Sequence, residues 1–417
     1  MSIGYASLTT GVLNTQIKSC LLKNITNDKL YELIENNLKS LDTMIDYNIK
    51  NQIKLYRISS DLIPFGSSPA NSLLWWEHYR DQFHEIGKKI KNSGMRVSMH
   101  PGFTVLNSPN EEVVSRTIED LNYHNRVLDS LGVNPKNKII LHIGGVYNDK
   151  KLATKRFIDS YSRLSDSVRE RVVLENDEKS YNINDVLEIA YKLNVPVVFD
   201  NLHHQINCFS HDFDNYYWIN VCGKTWQRKD GFQKIHYSQQ NPLKKPGSHS
   251  ITILIEEFMG FYENLERKDL DIMLEVKDKN LSALKCIHCL FPVNKATILE
   301  REWIKYKYMV LEKSPKIYKK IQNSLTSISE YPVVSFYKDI ETALQNEYAI
   351  ENSLTAAIHI WEFFNTSSTE KDNDSFSKIL MSFKLGKTSL TAIKNFLWRF
   401  AVKCGDESIL GSYYFIK

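Results

Sequence analysis

Eight side chains of metal-ligating type recur in this 417-residue chain at or shortly after the ends of short apolar runs. They are His100 in RVSMHPG, His142 in ILHIGG, Glu175 in VVLEND, Asp200 and His203 in VVFDNLHH, His236 in KIHYS, His249 in LKKPGSHS and Glu275 in MLEVK. A lone buried imidazole or carboxylate is usually a satisfied core group. Eight that converge would repel and desolvate one another at several kcal/mol each, and bound cations resolve that conflict. The set holds no Cys, so the expected ions are those that accept mixed nitrogen and oxygen ligands: Mn, Zn, Fe or Co. Eight ligands exceed what one ion readily uses, so a cluster of two or three divalent ions is expected. Such clusters suit phosphate-ester hydrolysis, with one ion acidifying the attacking water and the others neutralising phosphoryl and leaving oxygens. Sugar isomerases also use metals in such a setting, with fewer imidazoles.

The elements that must position these groups follow from the hydrophobic pattern. Strands are expected at 2–7, 53–59, 95–100, 138–143, 171–175, 195–200, 233–238 and 271–276. Several are nearly continuous apolar runs (KIILHI, VPVVFD, DIMLEV), as in parallel strands buried on both faces. Between them lie stretches of helical period at 30–47, 111–131, 183–193 and 251–265; the second begins after Ser108-Pro109 and stops at Gly132. Eight strand–helix repeats in under 300 residues predict an α/β fold, a (β/α)8 TIM barrel, whose strand ends share one bowl. An open doubly wound sheet is the alternative, but no glycine-rich phosphate loop follows the first strand, and no nucleotide cofactor is expected. From 292 the pattern turns helical throughout, with candidates at 297–324, 337–364, 376–383 and 389–402. The expected domains are therefore a barrel over 1–291 and an all-helical C-terminal domain over 292–417.

Composition bounds the setting. With 42% hydrophobic residues the chain can build a sizeable core, and a net charge of +4 neither requires nor forbids a nucleic-acid partner. The six Cys lack framework spacing, and the lone C-x-x-C at Cys286 and Cys289 has no second pair to make a zinc site. No secretory leader and no apolar stretch of membrane-spanning length is visible, so a cytoplasmic monomer is expected. Basic residues suited to phosphate contact are Arg57, Lys224, Arg228, Lys229, Lys244 and Lys245, with the clusters KTWQRKDGFQK and NPLKKPGSHS expected on the rim that carries the ligands.

The strings RISSDLIPFGSSP, MHPG, LHIGG, LENDEKSY, VVFDNLHH, KIHYS and KKPGSHS stand in the order seen in UV damage endonucleases, which the first 285 or so residues resemble. The resemblance implies a barrel like that of endonuclease IV, with a metal cluster, manganese in the best-known members. It also implies nicking of double-stranded DNA immediately 5′ of cyclobutane dimers and 6-4 products, leaving 3′-hydroxyl and 5′-phosphate ends. Carried over by motif, the metal ligands are the same eight residues, with Glu175, Glu275 and Lys234 in catalytic roles. Lys234 matches a lysine that the family can carry carboxylated. Strand period puts it on the same face as His236, where a buried Lys needs a partner or a modification. Tyr5 matches a tyrosine near the lesion, and Phe103 an aromatic that wedges into the duplex. Two departures stand out: Ser68 replaces a phosphate-contacting His, and the Gln beside the probing aromatic has no counterpart. Two other functions stay open, a metal-dependent sugar isomerase or epimerase, and a damage-binding protein with reduced turnover. In the helical segment, the alternating Tyr and Lys of IKYKYMVLEKSPKIYKKI suit either nucleic-acid stacking or a solvated amphipathic face.

Overall fold

The structure, a computed structural model, describes residues 1–102 and 104–416. Eight parallel strands follow one another round a closed barrel. They are β1 (Ile3–Ala6), β2 (Leu55–Arg57), β3 (Arg96–Met99), β4 (Lys138–His142), β5 (Val172–Glu175), β6 (Val197–Asp200), β7 (Lys234–Tyr237) and β8 (Asp271–Leu274). β1 pairs with both β2 and β8, which closes the sheet. The strands are shorter than their apolar runs, because the run ends continue as loop backbone outside the ladder. Between strands, the expected helices form with defined ends. Asn27–Lys50 is capped by the Thr26 side chain. Glu111–Ser130 is capped by Asn110 rather than Ser108, and Gly132 beyond it takes a φ of +62°.

Register sorts the barrel interior into levels. Arg96, Lys138 and Asp271 open their strands at the floor, where Arg96 Nη1 lies 2.6 Å from Asp271 Oδ2 and Lys138 Nζ 2.6 Å from Asp230 Oδ1. Above them sit two apolar clusters, Ile140 with Val173 and Val198, and Ala6 with Leu55 and Met273. Gly4 belongs to this interior, since a Cβ there would lie 1.9 Å from the Leu55 carbonyl oxygen. The strand C-termini then carry His142, Glu175, Asp200 and His236 inward, because residues two apart share a face.

The chain packs as two units. One comprises Met1–Thr9, Leu13–Ile253 and Gly260–Leu284; the other comprises Thr10–Val12, Leu254–Met259 and Lys285–Lys417. The second is helical, and its helices differ from the expected ones in their breaks. The stretch 297–324 is two helices, Lys295–Lys313 and Pro315–Ser324: Pro315 cannot continue the first and starts the second, with Ser314 as its cap. The stretch 337–364 likewise splits into Val333–Leu344 and Ile350–Trp361. Glu370–Lys384 begins well before the expected 376, because Thr369 and Asp372 form a capping box within a polar run that reads as loop. An aromatic core fills this unit, with Trp361 stacked on Phe376 at 4.4 Å between ring centroids. No helix among the described residues is long and apolar enough to cross a membrane.

Candidate metal centre

Six of the eight expected ligands gather into two clusters at the strand C-termini. His100, His142 and Glu175 form one; Glu175, Asp200, His236 and Glu275 form the other, and within each the potential ligand atoms lie within 4.8 Å of one another. Glu175 belongs to both. Its two oxygens divide between them, Oε2 lying 3.0 Å from His100 Nε2 and 3.5 Å from His142 Nε2, and Oε1 2.6 Å from His236 Nδ1. His203 and His249 adjoin the clusters. His203 Nδ1 is 3.9 Å from Asp200 Oδ1, and His249 Nε2 is 3.5 Å from Glu275 Oε2.

Hydrogen bonds fix which ring nitrogen faces inward. A carbonyl only accepts, so His100 Nδ1–H donates to Pro101 O at 3.2 Å, and His203 Nδ1–H to Asn176 O at 2.9 Å. His100 thus turns its Nε2 toward a carboxylate oxygen 3.0 Å away. Two lone pairs at that distance repel until a proton or a cation stands between them. Arg57 Nη2 donates to Glu275 Oε1 at 2.5 Å and lies 2.9 Å from His236 Nε2, and His236 Nδ1 lies 2.6 Å from Glu175 Oε1.

The electrostatics are those of a crowded anionic pocket. Burial opposes charge on Glu175, yet His236, His142 and the bonds from His100 hold it well below the usual carboxylate range. Burial likewise opposes charge on Glu275, and Arg57 and His236 hold it low. Asp200 goes the other way: burial, with Glu175 and Glu275 nearby, raises it to about 7 although His203 opposes. Burial disfavours charge on His203, but Asp200, Glu175 and Glu275 outweigh it and bring the imidazole to about 9. Burial pushes His236 down to about 4 and lowers His142 and His249. Asp200 Oδ2 is buried without a hydrogen-bond partner among the described residues. An unpaired carboxylate oxygen there is costly, and the mixed imidazole–carboxylate donor set fits divalent cations.

Lys234 opens β7 one inward position below His236 and is fully buried. Its Nζ has no hydrogen-bond partner among the described residues, and its charged neighbours are Arg96, Asp271, Arg57 and Lys138. Burial and those cations hold its ammonium well below the usual lysine range.

Other expected positions fall elsewhere. Tyr5 does not reach the bowl. It alternates with the inward Gly4 and Ala6, so its ring points outward, and its hydroxyl bonds Thr9 Oγ1 at 2.6 Å and Asn48 Oδ1 at 2.9 Å. Arg57, expected to contact phosphate, lies inside the bowl and is engaged with Glu275. Lys224, Arg228 and Lys229 precede β7 and so lie toward the strand N-termini, the mouth opposite the ligands. Lys244 and Lys245 are exposed on the loop that follows β7. Ser68 is half-buried, its Oγ accepting from Ala70 N. Phe103 lies outside the described residues.

Several positioning residues carry no sequence signal of their own. Asn176 accepts Asp200 N on its Oδ1, donates to Asp200 O and holds His203 through its carbonyl. Asn201 bonds both the N–H and the C=O of Ser238. Ser60 Oγ lies 2.9 Å from both His100 O and His124 Nε2. Each is an ordinary polar residue in one dimension and acquires its role only through contacts across the barrel.

Fold and site thus define a (β/α)8 barrel protein with an inward-facing cluster of side chains that could hold metal ions. The model of the family "UV-endonuclease UvdE" matches residues 2–307, and that of a "Protein of unknown function" matches residues 307–417. A UV DNA damage endonuclease of Clostridium perfringens (strain 13 / Type A) is 43% identical, over 82% of this chain and 83% of its own. One from Bacillus cereus (strain Q1) is 32% identical over 64% of this chain and 85% of its own. A crystal structure titled as that of SacUVDE shares 37% identity and a TM-score of 0.66, covering 71% of this chain and 99% of its own. This chain belongs to the UV damage endonuclease family.

Proposed function

We propose that the chain is a metal-dependent endonuclease of DNA repair that nicks UV-damaged duplex DNA immediately 5′ of the photoproduct, leaving 3′-hydroxyl and 5′-phosphate ends. The observation that carries this reading is the pair of donor clusters sharing Glu175, in a chain of this family. His100, His142 and Glu175 would hold one divalent cation; Glu175, Asp200, His236 and Glu275 a second; His203 and His249 stand ready to contribute to a third. Manganese is the expected ion. When bound, such ions acidify the attacking water and neutralise charge on the phosphodiester.

The chain's own residues supply the rest. Glu175 and Glu275 keep the bowl anionic, and Arg57 fixes the Glu275 carboxylate through a 2.5 Å bond. The carbonyls of Pro101 and Asn176 fix His100 and His203 with Nε2 free to ligate. Lys234 is proposed to be carboxylated, which would replace a buried amine without a hydrogen-bond partner among the described residues by an anion beside Arg96 and Lys138. Lys244 and Lys245 would meet backbone phosphate on the ligand-bearing face. Catalysis is assigned to residues 1–291 and none to 292–417.

A plasmid assay tests this. Manganese-loaded protein should convert UV-irradiated supercoiled plasmid to the nicked form, leave unirradiated plasmid intact, and lose the activity in EDTA. Equal nicking of both plasmids, or nicking that survives EDTA, would overturn it. Ser68 supports a second reading, a damage-binding protein of low turnover, since no ionisable side chain stands at that position. Tight lesion binding without nicking, with cleavage recovered in Ser68→His, would favour that reading.

A further inference from the structure

Among the described residues, Leu243 is the most exposed of the large apolar side chains, at 89%. It stands at the tip of the loop after β7, followed directly by Lys244 and Lys245 and bracketed by Pro242 and Pro246. An apolar side chain held out in water costs free energy, and a flexible loop would fold it back. This loop is held instead. Gln240 and His249 form an antiparallel bridge, Asn241 N donates to Ser248 O at 2.7 Å, and Ser248 N donates to Lys245 O at 3.1 Å. The Gln240 side chain closes the tip from inside, donating to Lys245 O at 3.1 Å and accepting from Gly247 N at 2.8 Å. Gly247 takes a φ of +83°, which a residue with a Cβ rarely adopts. The two prolines fix φ on either side. Neither Lys244 nor Lys245 has an ion-pair partner among the described residues. The same bridge that stiffens the tip anchors His249, whose Nε2 lies 3.5 Å from Glu275. The tip is thus tied to the metal centre by a few residues of hydrogen-bonded chain.

We infer that Leu243 is an apolar wedge that enters the base stack of a damaged duplex, while Lys244 and Lys245 hold the phosphates beside it. The inference rests on the reading of this chain as an enzyme of UV-damaged DNA, and adds a specificity-determining residue to it. Adjacent lysines without partners suit a polyanion, and a rigid apolar point suits insertion between bases. Insertion costs unstacking, and that cost is least where a lesion has already weakened the stack. Leu243 would therefore contribute to discrimination, and the lysines to affinity for any duplex.

The test uses the manganese-loaded full-length protein and duplexes with and without a single cyclobutane thymine dimer. 2-Aminopurine sits opposite the dimer, and stopped-flow mixing reads its unstacking before the strand is cut. Wild-type protein should give a fluorescence rise on the dimer duplex alone. Leu243→Ala should lose most of the rise and about tenfold of the affinity for the dimer duplex, with affinity for undamaged duplex unchanged. Leu243→Met should retain both. Lys244→Ala with Lys245→Ala should weaken both duplexes alike and make the slope of log affinity against log salt shallower by about two. A wild-type lesion preference and fluorescence rise that persist in Leu243→Ala would overturn the wedge alone. An unchanged salt slope in the double variant would overturn the phosphate grip. Wild-type protein that binds both duplexes equally would overturn the parent reading together with the wedge.

Discussion

The main-chain carbonyl of Asn176 accepts the Nδ1 hydrogen of His203 at 2.9 Å, while the Asn176 side chain bonds both the N–H and the C=O of Asp200. One residue at the end of β5 therefore sets two candidate ligands at the end of β6. Groups that orient metal ligands change affinity by about 10–100-fold when removed. Asn176→Ala should weaken manganese binding by that order, measured by titration calorimetry, with little change in the far-UV spectrum. Unaltered affinity would show that Asp200 needs no such side-chain support, since the variant keeps the carbonyl that holds His203.

Protons should leave as metal enters. In the metal-free protein His203 titrates at about 9 and Asp200 at about 7, against ordinary values of 6.5 and 3.8. Both folded values are raised, so each group's contribution to stability is complete below its unfolded value and is lost as pH climbs through its folded value. Below about pH 6.5 the lowered His142, His236 and His249 act in the opposite sense, so the metal-free protein should lose stability as pH rises from about 6.5 to 9, and metal should bind more tightly through that window. Calorimetry at neutral pH in buffers of different ionisation enthalpy should report net proton release. Metal uptake without it would contradict the assignment.

Lys234 is a buried amine whose Nζ has no hydrogen-bond partner among the described residues. An apolar side chain of similar length there removes the cost of burying that unpaired polar group. Lys234→Met should therefore keep or raise the Tm of the metal-free protein while losing nicking activity. If Lys234 is carboxylated, protein grown with 13C-labelled bicarbonate should show a carbamate carbon resonance that is absent from Lys234→Met. A carbamate signal that persists in the variant would place the modification elsewhere.

In the helical unit, Trp361 stacks on Phe376 and also packs against Phe364 and Phe400. Trp361→Ala should cost about 3–5 kcal/mol of that unit's stability, by the usual penalty for emptying an aromatic site. Urea unfolding followed by circular dichroism would check it. A loss below about 1 kcal/mol would mean that the aromatic cluster is loosely packed.

The strands and the candidate site at their ends were legible in the chain because two signals coincide there: a buried apolar run and an ionisable residue at or near its end. His100, His142, Glu175, Asp200, His236 and Glu275 all carry both signals, and the barrel gathers them. Tyr5 shows where this fails. In a strand of four residues, facing depends on register with β2 and β8, which no local pattern encodes. The engagement of Arg57 with Glu275 is hidden for the same reason, since two residues so far apart in sequence meet only through the barrel. Lys224, Arg228 and Lys229 are near β7 in sequence but precede it, so they belong to the opposite mouth. In the helical segment the period was clear and the breaks were not. Ser314-Pro315 ends one helix by local chemistry, whereas Thr369 and Asp372 begin another inside a polar run.

The central claim is that this barrel cuts beside a photoproduct. The most direct measurement maps the nick in a duplex oligonucleotide that carries one cyclobutane dimer at a known position, with the manganese-loaded protein and its Glu175→Gln variant. The account predicts a single cut immediately 5′ of the dimer by the wild-type protein, a ligatable 3′-hydroxyl and 5′-phosphate pair, and no cut by the variant. Cleavage at unrelated positions, or equal cleavage of the undamaged duplex, would contradict it.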